Sequence, residues 1–331
     1  MRWALRVLVT GSSGFVGATL LRVLKAQGKE AECISRTSSA RFSADLLDYD
    51  SLVKILKDFR PKVIVNCAAQ TNLKGGKQNS QMLVNSIGVT NIMKAFRCTN
   101  AERRLVQISS QLVRRLDIPP GKEDHFDPVG DYGASKAIAE AAVSSADGAG
   151  AEWAVLRCPT IWGPGMSEHY AGILRLVKKG RYVHLKRGPV RKTYAYIDNL
   201  AHQIAAVVDA PAARVHRRVL YLGDYQPLDV TAWINAFAAG WGRHVPTVPR
   251  TVARAAAALG DFSVRVGLPL PITSDRLNNL TLEYCHDLAP IQELAPGLPV
   301  FWRDGVELTR AWIDDAAQLS HIDRNVVPAL V

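Results

Sequence analysis

Two rhythms of apolar and polar residues alternate through the first half of this 331-residue chain. Short, nearly continuous apolar runs predict strands at Arg6–Thr10, 31–35, 63–67, 105–109 and 153–157. Between them, apolar residues recur at helical spacing over 14–27, 51–59, 81–97 and 132–145. Strands that are apolar on both sides, each followed by a helix, predict a parallel sheet covered on both faces: a doubly wound α/β fold. Its crossovers are expected to be right-handed.

The rhythm changes after Gly163-Pro-Gly165. Strands are expected at 194–197 and 219–222, with a helix starting at Asp198. From Pro249 the chain reads as mainly helical, including an alanine-rich run at 255–258. The expected organisation is a nucleotide-binding domain over 1–165 with returning segments near 192–224. A smaller, mainly helical substrate-binding lobe over 166–191 and 225–331 packs on it as a lid.

Composition narrows the class. With 48% hydrophobic and 21% charged residues, the chain reads as a globular protein, and no apolar run is long enough to span a bilayer. The apolar start runs straight into a glycine-rich turn, so it reads as a first strand and not as a signal peptide. The net charge of +11 is spread along the chain without a nucleic-acid motif. Local enrichments at 178–181, 186–192 and 214–218 suit small phosphorylated ligands or a solvated surface. The five cysteines form no CxxC pair, and they read as free, mostly buried thiols in a reducing cytoplasm, with no metal site.

Candidate chemistry begins at Tyr132-Gly-Ala-Ser-Lys136. On a helix the phenol and the ammonium share a face. A nearby cation favours a phenolate, so Lys136 is expected to bring the Tyr132 pKa down toward the working range. Thr10-Gly11-Ser-Ser13-Gly14-Phe15-Val16-Gly17 follows the first strand and opens the first helix. Gly11 permits the tight turn, Gly14 allows a pyrophosphate close to the backbone, and Gly17 allows close helix packing. The second strand runs into Arg36-Thr37-Ser38 without an acidic residue to hold a ribose 2′-hydroxyl. A guanidinium flanked by hydroxyls suits a 2′-phosphate, which favours NADP over NAD. Asp45, followed by Leu46, suits either the adenine amino group or a helix N-cap. The small residues Ala68 and Ala69, before Gln70, let the backbone lie along a cofactor.

Taken together, the TGxxGxxG turn and the YxxxK pair, in this order and strand context, resemble the extended branch of the short-chain dehydrogenase/reductase superfamily, specifically the NAD-dependent epimerase/dehydratase group. The resemblance covers about residues 5–165 and continues through the C-terminal part. It implies that Ser110 hydrogen-bonds the reacting oxygen and that Tyr132 transfers the proton. Lys136 would bind the nicotinamide ribose, and Asn85 would steady the site. Pro159 and Thr160 would border the nicotinamide and the substrate. Ser110, Gln111, Thr160, Lys192 and Tyr194 would contact the substrate. Thr160 stands where the family often has Asn, and Lys192 where it often has Arg. Lys192 would hold a phosphate as a point charge without a bidentate fork. Asp198 reads as a cap of the following helix.

The resemblance leaves several reactions to weigh. Dehydratases of the family carry Asp-Glu after the catalytic hydroxyl, whereas Gln111-Leu112 stand here, which argues against elimination. The Arg36 cluster leans toward NADPH-dependent 4-ketoreduction of a nucleotide-activated sugar. Family membership leans toward 4-epimerisation with a retained cofactor. The apolar stretches at 252–259 and 264–270 resemble those of hydroxysteroid-type members. Regulators that sense NADP share the fold but often lack the tyrosine present here. The family also suggests a homodimer formed through the helices at 81–97 and 132–145.

Overall fold

A computed structural model describes residues 5–36, 40–69, 78–98, 103–117, 125–185, 188–265 and 274–325. The predicted apolar runs become the strands β1 (Arg6–Thr10), β2 (Glu30–Ser35), β4 (Val63–Asn66), β5 (Arg104–Ser110) and β6 (Glu152–Cys158). A two-residue β3 (Phe42–Ser43), too short to show in the pattern, extends one edge. The sheet runs in the order Arg218–Tyr221, β6, β5, β4, β1, β2, β3, with each neighbouring pair parallel among the described residues.

Alternation along each strand builds two cores. Val7, Val9, Val63, Val65, Val106, Ile108, Ala154 and Leu156 face one side. There they meet Leu20 and Leu24 of α1 (Phe15–Ala26), together with Leu200 and Ile204 of the helix Ile197–Asp209. Leu8, Ile64, Leu105, Trp153 and Val155 face the other side. They meet Leu52, Ile55 and Phe59 of α2 (Tyr49–Phe59), Ile92 and Phe96 of α3 (Gln78–Arg97), and Ala139 and Val143 of α4 (Gly130–Ser145). This is the doubly wound Rossmann-type architecture expected from the pattern.

The chain divides into two units. The first comprises 1–161, 195–225 and 286–299. Its last segment, assigned by the sequence pattern to the lobe, joins the sheet-bearing unit instead. The second comprises 162–194, 226–285 and 300–331 and is mainly helical. There Trp162, Tyr194 and Phe237 pack edge-on around Trp233 at centroid distances of 5.4, 5.9 and 5.1 Å. A short antiparallel pair, Arg191–Lys192 with Leu228–Asp229, lies beside them in sequence. Asp229 caps the helix Val230–Gly240 by accepting from Thr231 N at 3.0 Å.

Three expectations change. Asp48, not Asp45, caps α2, accepting from the Ser51 N–H and hydroxyl. Asp45 closes a local turn onto Leu47 N at 2.9 Å. Asp198 lies inside the first turn of its helix and pairs with Arg22. The start of that helix is held by Asp224, which accepts from Tyr196 N and Asn199 Nδ2 at 3.1 and 2.8 Å. The five cysteines are free thiols, but only Cys158 is buried; Cys33 and Cys67 are half-buried, and Cys98 and Cys285 are exposed. Among the described residues no helix is long and apolar enough to cross a membrane.

Candidate active site

The glycine turn is tight in the places its spacing demands. Gly11 has φ +69°, and a Cβ there would stand 2.7 Å from the backbone of Ala68, just beyond β4. A Cβ on Gly17 would stand 2.4 Å from the Gly11 carbonyl oxygen, whereas one on Gly14 would meet that atom at 3.3 Å. Gly14 is the N-cap of α1 and supplies no side chain, and no acidic residue occupies the first turn. Ser13 and Gly14 are exposed, and Phe15 and Val16 half-buried. The turn therefore presents main-chain N–H groups at the positive end of a helix, a cradle whose chemistry fits a dinucleotide pyrophosphate.

Neighbouring strand ends continue this floor. Thr10 Oγ1 donates to Asn66 Oδ1 at 2.5 Å and accepts from Ala68 N at 3.2 Å. Asn66 Nδ2 donates to Gln107 Oε1 at 2.8 Å. Leu46 is buried, and its carbonyl accepts from Asn91 Nδ2 of α3 at 3.0 Å. Ala69 is half-buried and Arg36 exposed. Thr37, Ser38 and Gln70 lie outside the described residues.

Ser110 ends β5, where it is buried and accepts from Leu112 N at 3.2 Å. That contact starts the 3₁₀ turn Gln111–Val113. α4 seats on this turn through Gly133, where a Cβ would fall 2.2 Å from the Leu112 carbonyl oxygen. The glycine inside the Tyr132–Lys136 motif is thus a packing requirement that spacing alone does not reveal. Asn85 of α3 donates to Ser135 Oγ at 2.9 Å, and that hydroxyl donates to the Tyr132 carbonyl at 2.8 Å. Asn85 steadies the helix that carries the pair.

Lys136 is buried and donates to the Ile108 carbonyl at 2.9 Å, with Nζ 5.9 Å from the Tyr132 ring centroid. Burial pushes its ammonium down to about 8. Burial also raises the half-buried Tyr132 phenol above its ordinary value. This direction is opposite to the one expected from the spacing: desolvation of the phenolate dominates and the neighbouring Cys158 adds to it, while the Lys136 ammonium is turned toward a backbone carbonyl. Cys67 and Cys158 adjoin Lys136 electrostatically, and burial pushes both thiols up to about 12.

A second layer flanks Ser110. Ser109 donates to Glu140 of α4, and Glu140 pairs with Arg157 at 2.7 Å, both side chains almost wholly buried. Arg157 Nη1 donates to the Tyr221 hydroxyl at 3.2 Å. His286 stacks on Tyr221 at 4.3 Å and shares a 2.9 Å hydrogen bond with Gln111 Oε1. His286 was not singled out in the sequence, because it stands in no motif. Pro159 is buried and Thr160 half-buried just beyond β6.

Lys192 and Tyr194 belong to the second unit. Both are buried. Lys192 Nζ lies 5.3 Å from the Tyr284 ring centroid, and burial pushes its ammonium down to about 8.

The model of the NAD dependent epimerase/dehydratase family matches residues 7–223. UDP-glucose 4-epimerase of Vibrio cholerae is 28% identical over 224 residues, covering 62% of this chain and 67% of that protein. The 2-alkyl-3-oxoalkanoate reductase of Stenotrophomonas maltophilia is 26% identical over 270 residues, covering 75% of this chain and 78% of that protein. The crystal structure of a UDP-glucose 4-epimerase with UDP-glucose from Thermotoga maritima superposes with a TM-score of 0.71 at 17% identity, covering 94% of this chain and 99% of that one.

Proposed function

Because the chain belongs to the NAD-dependent epimerase/dehydratase family, whose members here are NAD(P)-dependent epimerases and reductases, we propose that it reduces the keto group of a nucleotide-activated sugar with NADPH. The observation that carries the NADPH assignment is Arg36, exposed just beyond β2 where an acidic residue would select NAD. The sugar assignment is supported by the UDP-glucose relatives.

When bound, the nicotinamide supplies or accepts the hydride. The Gly11–Gly17 turn binds the pyrophosphate. Lys136 holds the nicotinamide ribose, and Asp45, Leu46, Ala68, Ala69, Pro159 and Thr160 border the cofactor. Ser110 hydrogen-bonds the substrate oxygen, and Tyr132 O–H delivers the proton to it. With a raised pKa, Tyr132 is protonated at neutral pH, the state that reduction of a carbonyl requires. Gln111 and Leu112 supply no carboxylate, so elimination is disfavoured. In the second unit, the buried Lys192 beside Tyr284 supplies a positive charge that suits a phosphate.

The 4-epimerase relative favours a second reading, oxidation and re-reduction of the sugar with a retained cofactor. The exposed Ile87 on α3 and Ile138 on α4 support pairing of two copies through these helices. We place the enzyme in the cytoplasm, on the free thiols.

The purified protein is incubated with NADPH and uridine or thymidine diphosphate 4-keto-6-deoxyhexoses, with 2-alkyl-3-oxoalkanoates as a second substrate class. NADPH oxidation matched by a reduced sugar supports the reading. Epimer formation without net NADPH oxidation selects the epimerase, and turnover of the alkanoates alone overturns the sugar assignment.

A further inference from the structure

The corner that presents Ser110 is held from both sides. On one side the Ser109 hydroxyl donates to Glu140. On the other, Gln111 meets His286 at 2.9 Å. The two anchors converge. Glu140 pairs with Arg157, Arg157 donates to Tyr221, and Tyr221 carries the stacked His286 ring at 4.3 Å with an interplanar angle of 20°. A polar chain thus runs from α4, which carries Tyr132 and Lys136, through β6 and Arg218–Tyr221 to the returning segment 286–299, and ends on the residue after Ser110.

A primary amide is a bifunctional group: rotation by half a turn exchanges its acceptor for its donor. A substrate-contacting glutamine selects oxygen patterns only if one orientation is held. Gln111 is buried, and the ring nitrogen of His286 engages its Oε1. The ring is itself fixed by its stack on Tyr221, and Tyr221 is fixed by Arg157.

We infer that His286 is a positioning residue for substrate selection: it holds the Gln111 amide in one orientation, so that Gln111 offers a defined hydrogen-bonding end to the substrate beside Ser110. The inference deepens the proposed reading and rests on it. His286 is an orienting group that stays clear of the proton transfer, so its loss weakens substrate binding and leaves the chemical step in place. Burial together with the neighbouring Arg157 charge pushes the imidazole down to about 4, which keeps the ring neutral and the hydrogen bond unchanged across the working range.

Three variants separate this role from a general packing role. His286→Phe keeps the stack on Tyr221 and deletes the hydrogen bond. His286→Gln restores an amide N–H at a similar reach. Gln111→Ala removes the group that His286 is said to orient. Steady-state kinetics are measured with NADPH and thymidine diphosphate 4-keto-6-deoxyglucose, alongside dinucleotide affinity and thermal stability. The expected result is a KM about tenfold higher in His286→Phe, the worth of one hydrogen bond. In that variant kcat stays within about twofold and NADPH affinity is unchanged. His286→Gln recovers most of the loss, and in the Gln111→Ala background His286→Phe has no further effect. An unchanged KM in His286→Phe overturns the inference, as does an equal effect with and without the Gln111 side chain. If the parent enzyme turns over neither keto-sugars nor alkanoates, the underlying reading fails, visibly in the unmutated protein, and this inference falls with it.

Discussion

Lys136 Nζ donates to the main-chain carbonyl of Ile108 at 2.9 Å, which ties the helix carrying the tyrosine–lysine pair to the strand that ends in Ser110. The ammonium sits where water is scarce, and its pKa falls toward 8 as a result.

A pH dependence of stability follows. Lys136, and Lys192 in the second unit, are deprotonated near pH 8 when folded but near 10.5 when unfolded. Between these values the unfolded chain binds more protons, so stability rises with pH. Cys67 and Cys158 act in the opposite sense: their folded values near 12 exceed the unfolded value of 9, so their contribution is lost as pH climbs above 9. Urea unfolding is therefore expected to show stability increasing by about 1–2 kcal/mol from pH 8 to 9. It should level off near pH 10 and fall beyond that. Lys136→Met should remove more than half of the rise, because the opposing cysteines remain. A monotonic decline from pH 8 would contradict the assigned burial of these amines.

Tyr132→Phe removes one hydroxyl and leaves the ring. If Tyr132 delivers the proton, kcat should fall by about 10²–10⁴. Dinucleotide affinity, measured by calorimetry, should stay within a factor of a few. Retention of more than a tenth of the activity would remove Tyr132 from the proton-transfer role.

Glu140 and Arg157 form an ion pair with side-chain exposures of 3% and 1%. Glu140→Gln leaves the guanidinium short of its counter-charge and is expected to cost about 3–5 kcal/mol in urea unfolding. The paired change Glu140→Leu with Arg157→Met should recover most of that cost. If the single change costs less than about 1 kcal/mol, the pair is not structurally coupled.

Two glycines of the turn should separate function from packing. A Cβ on Gly14 meets nothing closer than 3.3 Å, whereas one on Gly17 meets a backbone oxygen at 2.4 Å. Gly14→Ala is expected to lose dinucleotide affinity while its unfolding free energy changes by less than about 0.5 kcal/mol. Gly17→Ala should lose about 1–3 kcal/mol of stability as well. Equal stability losses in the two variants would show that the turn is shaped differently. Gly133→Ala is a third case: its Cβ collides with the Leu112 carbonyl, so α4 must lift from the Ser110 turn, and kcat should fall even though no reacting group is changed.

Elements whose signal is local were legible in the chain. β1, β4, β5 and β6 are apolar runs buried on both faces, a pattern that needs no distant partner to be recognised. The glycine turn and the Tyr132–Lys136 spacing are legible for the same reason, since each lies within one turn of helix or loop. The two-residue β3 and the 3₁₀ turn after Ser110 were not, because neither is long enough to carry a period.

The direction of the Tyr132 pKa could not be read from spacing. Four residues of separation bring an ammonium near a phenol, but burial of both groups decides the sign, and burial is a property of everything packed around them. The group that holds the start of the helix Ile197–Asp209 is hidden from local spacing for a related reason. Asp198 is near the start of its helix in sequence, yet Asp224, reaching back 25 residues to Asn199, holds that end.

By itself, then, the amino-acid sequence determined the doubly wound sheet, the tight glycine turn that opens α1 and the placing of Tyr132 and Lys136 on one helix, since periodicity and spacing express local backbone preferences. Only the tertiary structure decided what surrounds Ser110. Gln111 and His286 are 175 residues apart, and Ser109 on β5 reaches Arg157 on β6 through Glu140 of α4. Contacts of this kind arise when strand order and the returning segment bring distant residues to one sheet edge, and no local pattern records them.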